Sequence, residues 1–274
     1  MMTNALNLGN LRLAVLIDAE NVPRNCMKRV MEEIAIYGTP TIKRIYGDWT
    51  SPVVSGWKTS LLENAITPIQ QYSYTTGKNS SDSAMIIDAM DILYTEKTDG
   101  FVIVSSDSDF TRLAIRLREA GQRVIGIGER KTPSAFIAAC DKFTYIEVIS
   151  KGFAEDDIDG NGLHNVAEAQ NGLQHDTLHR NKSLQSGKQK NVKVPDDIIE
   201  LIADSISDLA SEDGMVFCGE LGNLILKKQP AFDHRDFGYK SLSAMIKSID
   251  RFETDFRQTT DPNIKHVFVR DKES

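Results

Sequence analysis

Residues 11–21 read LRLAVLIDAEN and residues 99–110 read DGFVIVSSDSDF. Each joins a short run of Val, Ile and Leu to a cluster of acids, and in neither run do polar and apolar residues alternate. A strand without a polar face is buried on both sides, the condition of an inner strand in a parallel sheet. The two runs are read as central strands over 13–17 and 101–105. Outward from them, four more β-rich runs keep the same rhythm: 41–46 (TIKRIY), 66–72 (ITPIQQY), 123–127 (RVIGI) and 144–148 (TYIEV). Helical stretches fill the gaps, so residues 11–150 are expected to form an α/β domain, a doubly wound parallel sheet with helices on both faces.

The acids stand where such a sheet binds ligands. Asp18 follows the first strand, Asp82 opens a helix after the third, and Asp107 and Asp109 follow the fourth. The ends of strands one and four flank the topological switch point. Singly, each acid also suits a helix cap or first turn, and KNSSDS around Asp82 offers several competing caps. Taken together, carboxylates grouped at one edge repel one another, which makes sense mainly where a divalent cation offsets the repulsion. All five histidines lie beyond residue 160, so the first domain holds none and a Ser–His or Cys–His triad is excluded there. Hard oxygen donors without His or Cys point to Mg²⁺ or Mn²⁺ rather than zinc, and to hydrolysis of a phosphodiester. Asp88, about 9 Å along a helix from Asp82 and on another face, is assigned a structural role.

Asp18 and Asn21 in D-x-x-N, Lys78 followed by Asp82 and Asp88, SDSDF at 106–110 and GIGERKTPSAFIAACDKF at 126–143 occur in an order and spacing that resembles the bacterial branch of the NYN (LabA-like, PIN-like) family. The resemblance spans roughly 11–149. It implies a PIN-like fold and metal-dependent cleavage of RNA, with Asp18, Asp82, Asp107 and Asp109 in the acidic pocket and Asn21 beside it. Ser106 stands where many relatives have Gly, and is read as a cap. The glycines of GIGER lack the G-x-G-x-x-G spacing of a dinucleotide site and are read as turn residues. Pro133 is placed at the first position of a helix. Lys78, Arg112, Arg130 and Lys131 are candidate phosphate contacts or plain solvated charges. Trp49 and Trp57 either stack on bases or fill the core.

Residues 151–192 are rich in Gly, Asn, Gln, Ser and Asp without a sustained apolar period, and read as a flexible linker. A helical pattern resumes at Pro195, with Asp196 and Asp197 in a first turn and Ile198, Ile199, Ile202, Ile206 and Leu209 at helical spacing. Further helices are expected over 219–227 and 239–249, then a two-stranded wing. The run FDHRDFGYKSLSAMI, 232–246, resembles the LOTUS (OST-HTH) domain, a winged helix of RNA-regulating proteins. The resemblance covers about 196–271, and the domain is placed over 193–272. It implies binding of structured RNA or of a protein partner, with Lys227, Lys228, Arg235, Lys240 and Lys247 as candidate RNA contacts. Its 11 Lys and Arg against 16 Asp and Glu weigh against RNA unless the basic residues gather on one face.

The 274 residues carry a formal net charge of −7, unsuited to coating nucleic acid by bulk electrostatics. No apolar run reaches the roughly 20 residues that span a bilayer, and no secretory signal pattern opens the chain, so a cytoplasmic protein is expected. The three widely spaced cysteines read as reduced, buried thiols. Three functions fit this pattern: a metal-dependent ribonuclease, a non-catalytic RNA-binding adaptor, and a nucleotide phosphatase. As a coil of about 42 residues the linker would span roughly 35 Å, which makes the second domain a tethered recruiter and confines the catalytic residues to the first.

Overall fold

The structure is a computed structural model that describes residues 11–72, 80–95, 97–152, 193–211, 213–258 and 265–273. Lys78 and residues 153–192, where the linker is expected, lie outside them.

Strands β1 (Arg12–Asp18), β2 (Thr39–Gly47), β3 (Thr67–Gln70), β4 (Gly100–Val104), β5 (Arg123–Gly128) and β6 (Lys142–Tyr145) form one sheet in the order β3-β2-β1-β4-β5-β6. Every neighbouring pair is parallel. Helices α1 (Met27–Tyr37), α2 (Lys58–Asn64), α3 (Ser80–Tyr94), α4 (Thr111–Glu119), α5 (Ser134–Ala139) and α6 (Ile146–Gly152) cover the two faces. The two all-apolar runs are the two central strands, and the period-two geometry of a strand divides β1 between two cores. Leu13, Val15 and Ile17 meet Val30 and Ile34 of α1, while Ala14 and Leu16 meet Met85 of α3 and Leu117 of α4. In this register Ile17 lies beside Val104, so the chain leaves β1 and β4 at the same point of the sheet edge.

The sequence reading and the structure part in a few places. TYIEV, expected as a strand over 144–148, is strand only through Tyr145 and then turns into α6. Ile146 and Ile149 are spaced for one helical face, which packs into the core beside α1, and Glu147 places a negative charge in the first turn. Gly126 and Gly128 lie within β5 rather than in a turn. A Cβ on Gly128 would stand 2.5 Å from the Ser105 carbonyl oxygen and one on Gly126 2.5 Å from the Phe143 ring, so both allow close approach of neighbouring chain. Pro133 and Pro195 each sit one residue earlier than expected, as N-caps of α5 and α7 (Asp196–Leu209).

The second domain continues with β7 (Val216–Phe217), α8 (Cys218–Lys228), α9 (Leu242–Lys247), β8 (Phe252–Gln258) and β9 (Lys265–Asp271), with the antiparallel order β7-β9-β8. Ile198, Ile202 and Ile206 of α7 meet Leu221, Ile225, Met245 and Ile246 in its core. The helix expected over 239–249 begins only at Leu242. Gly238, with φ of 82°, closes a 3-10 turn over His234–Phe237, and the Ser241 hydroxyl then caps α9 by accepting from the Ala244 amide.

The described part of this domain docks on the first, which corrects the picture of a free tethered recruiter. Glu33 of α1 is 1% exposed and accepts two 2.8 Å hydrogen bonds from the Arg235 guanidinium, a fork that also grips Asp233. Tyr37 donates to Glu33, the buried Lys142 ammonium donates to the Phe232 carbonyl, and the Phe143 amide donates to that of Pro230. A buried carboxylate needs such a partner, because an unpaired charge in low dielectric is strongly disfavoured. Composition read domain by domain does not reveal a partner two hundred residues away.

Candidate active site

Asp18 ends β1 and is 2% exposed. Its Oδ1 accepts from the amides of Glu20 (3.0 Å) and Asn21 (3.3 Å), and its Oδ2 from the Asn21 side-chain amide (2.7 Å) and the Ser105 hydroxyl (2.9 Å). Four donors hold the carboxylate in one orientation. The D-x-x-N spacing closes this turn on itself, which makes Asn21 a residue that positions Asp18.

Ser105, fully buried just past β4, was not singled out by the sequence reading. Its hydroxyl donates to Asp18 and accepts from the Asp107 amide (3.1 Å), joining the two acidic loops across the switch point. Asp107 in turn accepts from the Asp109 amide at 2.9 Å, the capping interaction anticipated for SSDSDF. Ser106 accepts from the Glu129 amide at 2.8 Å and so ties the β4 loop to the β5 loop. The adjacent pair of serines after an apolar strand was the available signal: two hydroxyls at a strand end have backbone donors to satisfy.

Asp82 lies in the first turn of α3 and is 7% exposed. Burial, and then the charges of Asp18, Asp107, Asp109 and Glu20, push its carboxyl from the ordinary range up to about 7. Asp18, Asp107 and Asp109, from two other segments, thus lie near enough for their charges to act on Asp82, and Glu20 joins them. Glu20 is itself raised, by burial first and then by Asp18 and Asp48. Asp88 takes no part in the pocket. It accepts from Arg44 and from the Tyr46 hydroxyl, both of β2, and so fixes α3 against the sheet.

The oxygen donors suit a hard cation in type. Among the described residues, however, no three acids, histidines or cysteines stand close enough together to hold one as they are. Mg²⁺ keeps several of its waters and commonly takes only one or two carboxylates directly, so this donor set fits a largely hydrated ion better than a closed cage.

The basic candidates fare unevenly. Arg112 is exposed close behind Asp109. Arg130 pairs with Asp236 and lies 4.9 Å from the Tyr145 ring centre, and Lys131 pairs with Glu129 at 2.5 Å. Arg235, expected at RNA, is spent on Glu33 and Asp233. Lys228 pairs with Asp208, while Lys227, Lys240 and Lys247 are exposed. Trp57 is core, and Trp49 is half-buried with its indole donating to the Ile69 carbonyl. Cys26 and Cys140 are buried, which raises their thiols to about 11 and about 12 and leaves them inert.

A six-stranded parallel sheet of this order with flanking helices is a PIN-like α/β fold. The NYN domain model matches residues 12–147 and the OST-HTH/LOTUS domain model residues 192–264. The chain therefore carries an NYN domain followed by an OST-HTH/LOTUS domain. NYN domains have a nuclease-type fold, and LOTUS domains are associated with RNA binding. Among solved structures, a protein of unknown function from Vibrio parahaemolyticus is 19% identical, with 53% of this chain and 96% of that chain covered and a TM-score of 0.44. An uncharacterized protein from Nitrosomonas europaea is 27% identical over 35% of this chain and 92% of that chain, with a TM-score of 0.27. No curated protein matches the chain. No helix among the described residues is long and apolar enough to cross a membrane.

Proposed function

We propose that the chain is a Mg²⁺- or Mn²⁺-dependent ribonuclease. The observation that carries this reading is the convergence on Asp82, where burial first, and then the charges of Asp18, Asp107, Asp109 and Glu20, push one carboxyl up to about 7. Such repulsion destabilises the fold, and a cation at the same point relieves it. Asp18 and Asp107 would be the principal ligands of the ion, with Asp82 and Asp109 completing its shell or positioning water; when bound it supplies charge neutralisation at a phosphodiester and a more acidic water. Asn21 and Ser105 keep the Asp18 carboxylate fixed. Asp82 orients a water and takes its proton at a carboxylate oxygen. The water oxygen then bonds to phosphorus, the bond to the leaving sugar oxygen breaks, and that oxygen takes its proton from solvent. Arg112, exposed close behind Asp109, would contact a backbone phosphate, as would Lys131 on leaving Glu129. The LOTUS domain adds RNA or partner binding through Lys240 and Lys247.

One observation favours a second reading, a non-catalytic RNA-binding adaptor: among the described residues no three acids stand close enough together to hold one ion. A single set of incubations separates the readings. With Mg²⁺ or Mn²⁺, the ribonuclease shortens single-stranded RNA and stops on addition of chelator. An adaptor binds the RNA with a clear salt dependence and yields no product with either ion. Phosphate released from mononucleotides, with RNA left intact, identifies a phosphatase instead.

A further inference from the structure

Far from the acid pocket, at the opposite end of β5, a second charged site is built by both domains. A cavity of about 190 Å³ lies between them, lined by Arg118, Arg123 and Asp141 of the first and Asn223, Lys227 and Pro230 of the second. A neighbouring groove of about 590 Å³ shares Arg118, Arg123 and Asp141 and also carries Asp99, whose carboxylate is held by Arg12, and the exposed Glu119. With β5 six residues long at roughly 3.3 Å per residue, the cavity stands about 20 Å from the switch-point edge. It serves neither the Asp18 pocket nor the Glu33–Arg235 fork.

Within the smaller cavity's own lining three cations, Arg118, Arg123 and Lys227, face one carboxylate, Asp141. Asp141 is fully engaged: one oxygen accepts from Arg118 at 3.1 Å and the other from the Val124 amide at 2.8 Å. Arg118 otherwise reaches only the Ala138 and Ala139 carbonyls, at 3.5 and 3.4 Å. Arg123 and Lys227 have no ion pair among the described residues, and the Arg123 Nε is buried with no hydrogen-bond partner there. A buried donor left unmet next to a cavity is a group awaiting an acceptor. Two guanidinium groups and an ammonium around a small space, with an amide at its wall, match the several oxygens and the charge of a phosphate better than those of one carboxylate.

We propose that this cavity binds a phosphate group between Arg118, Arg123 and Lys227. Because the residues come from both domains, the anion binds only the docked arrangement and therefore stabilises it. The assignment is independent of the nuclease reading, and its test involves no turnover.

The test is isothermal titration calorimetry of the full chain with inorganic phosphate, in chelator and at constant ionic strength set by chloride. Saturable binding at one site is expected, weakened at least tenfold in Arg123→Gln and in Lys227→Gln and unchanged in Lys28→Gln, an exposed control on α1. Lys227 is exposed, so its variant keeps the test valid should Arg123→Gln fail to fold. No saturable heat with the wild-type chain overturns the proposal, as does equal affinity in Lys227→Gln or equal loss in Lys28→Gln. A single-stranded RNA decamer added in chelator then identifies the source of the phosphate. Competition with phosphate assigns the site to an RNA backbone, and undiminished phosphate affinity assigns it to a free anion.

Discussion

Replacing Asp82 by Asn should stabilise the protein while removing its activity, and the size of the effect should depend on pH in a defined way. The folded chain holds the Asp82 carboxyl at about 7, whereas an unfolded Asp titrates near 4. The sign follows from linkage. Below about pH 4 both states carry the proton and the substitution changes little. Between 4 and 7 the unfolded chain ionises freely and the folded chain does not, so the wild type loses stability as pH rises, and above 7 the loss is complete. The interval corresponds to a ceiling of about 4 kcal/mol, and salt screening of the neighbouring acids brings the expectation to roughly 2–4 kcal/mol at pH 8. Asn imitates the protonated form and escapes the penalty. Urea unfolding of both proteins from pH 4 to 8 in chelator measures it, as a gap that opens across the series and levels off. Millimolar Mg²⁺ should narrow the gap by stabilising the wild type alone. A gap that stays constant with pH, or a wild type more stable than the variant at pH 8, refutes the electrostatic picture of the pocket.

Other perturbations probe the supports of the site and the docking of the domains. Ser105→Ala removes the hydroxyl that joins Asp18 to the Asp107 loop. It should cost about 1–3 kcal/mol in urea unfolding and lower kcat more than it raises KM, whereas an unchanged kcat would show the tie to be dispensable. Gly128→Ala puts a methyl 2.5 Å from the Ser105 carbonyl oxygen, so a loss of about 1–3 kcal/mol with impaired cleavage is expected, and a neutral result would mean the β4 loop yields freely. Arg235→Ala leaves the buried Glu33 unpaired. Because Arg235 itself is partly exposed, a loss nearer about 3 than 5 kcal/mol is expected, with faster hydrogen exchange in α1, and an unaltered exchange pattern would contradict a docking role.

Much of the first domain was legible because its signals are local. Val, Ile and Leu runs without alternation mark the two central strands, and the acids at their ends mark the edge where the chain leaves both. What escaped depends on contacts distant in sequence. Ile146 and Val148 read equally well as strand or helix until α1 supplies the surface that Ile149 packs on. The glycines of β5 look like turn residues because their reason lies in the neighbouring Ser105 carbonyl and the Phe143 ring. Ser105 resembles an ordinary cap in SSDSD, and only the register of β1 against β4 brings it to Asp18. Arg235 was counted among surface cations for the same reason, since Glu33 is distant in sequence and its burial follows from docking.

The most direct test of the central claim compares RNA cleavage by the wild-type chain and by a purified, folded double variant, Asp18→Asn with Asp107→Asn, in Mg²⁺ or Mn²⁺ and again in chelator. The account predicts cleavage by the wild type that chelator abolishes and the double variant lacks. Equal cleavage by the two proteins would place the activity outside the Asp18 pocket, and no cleavage by either with both ions, despite RNA binding, would establish the adaptor.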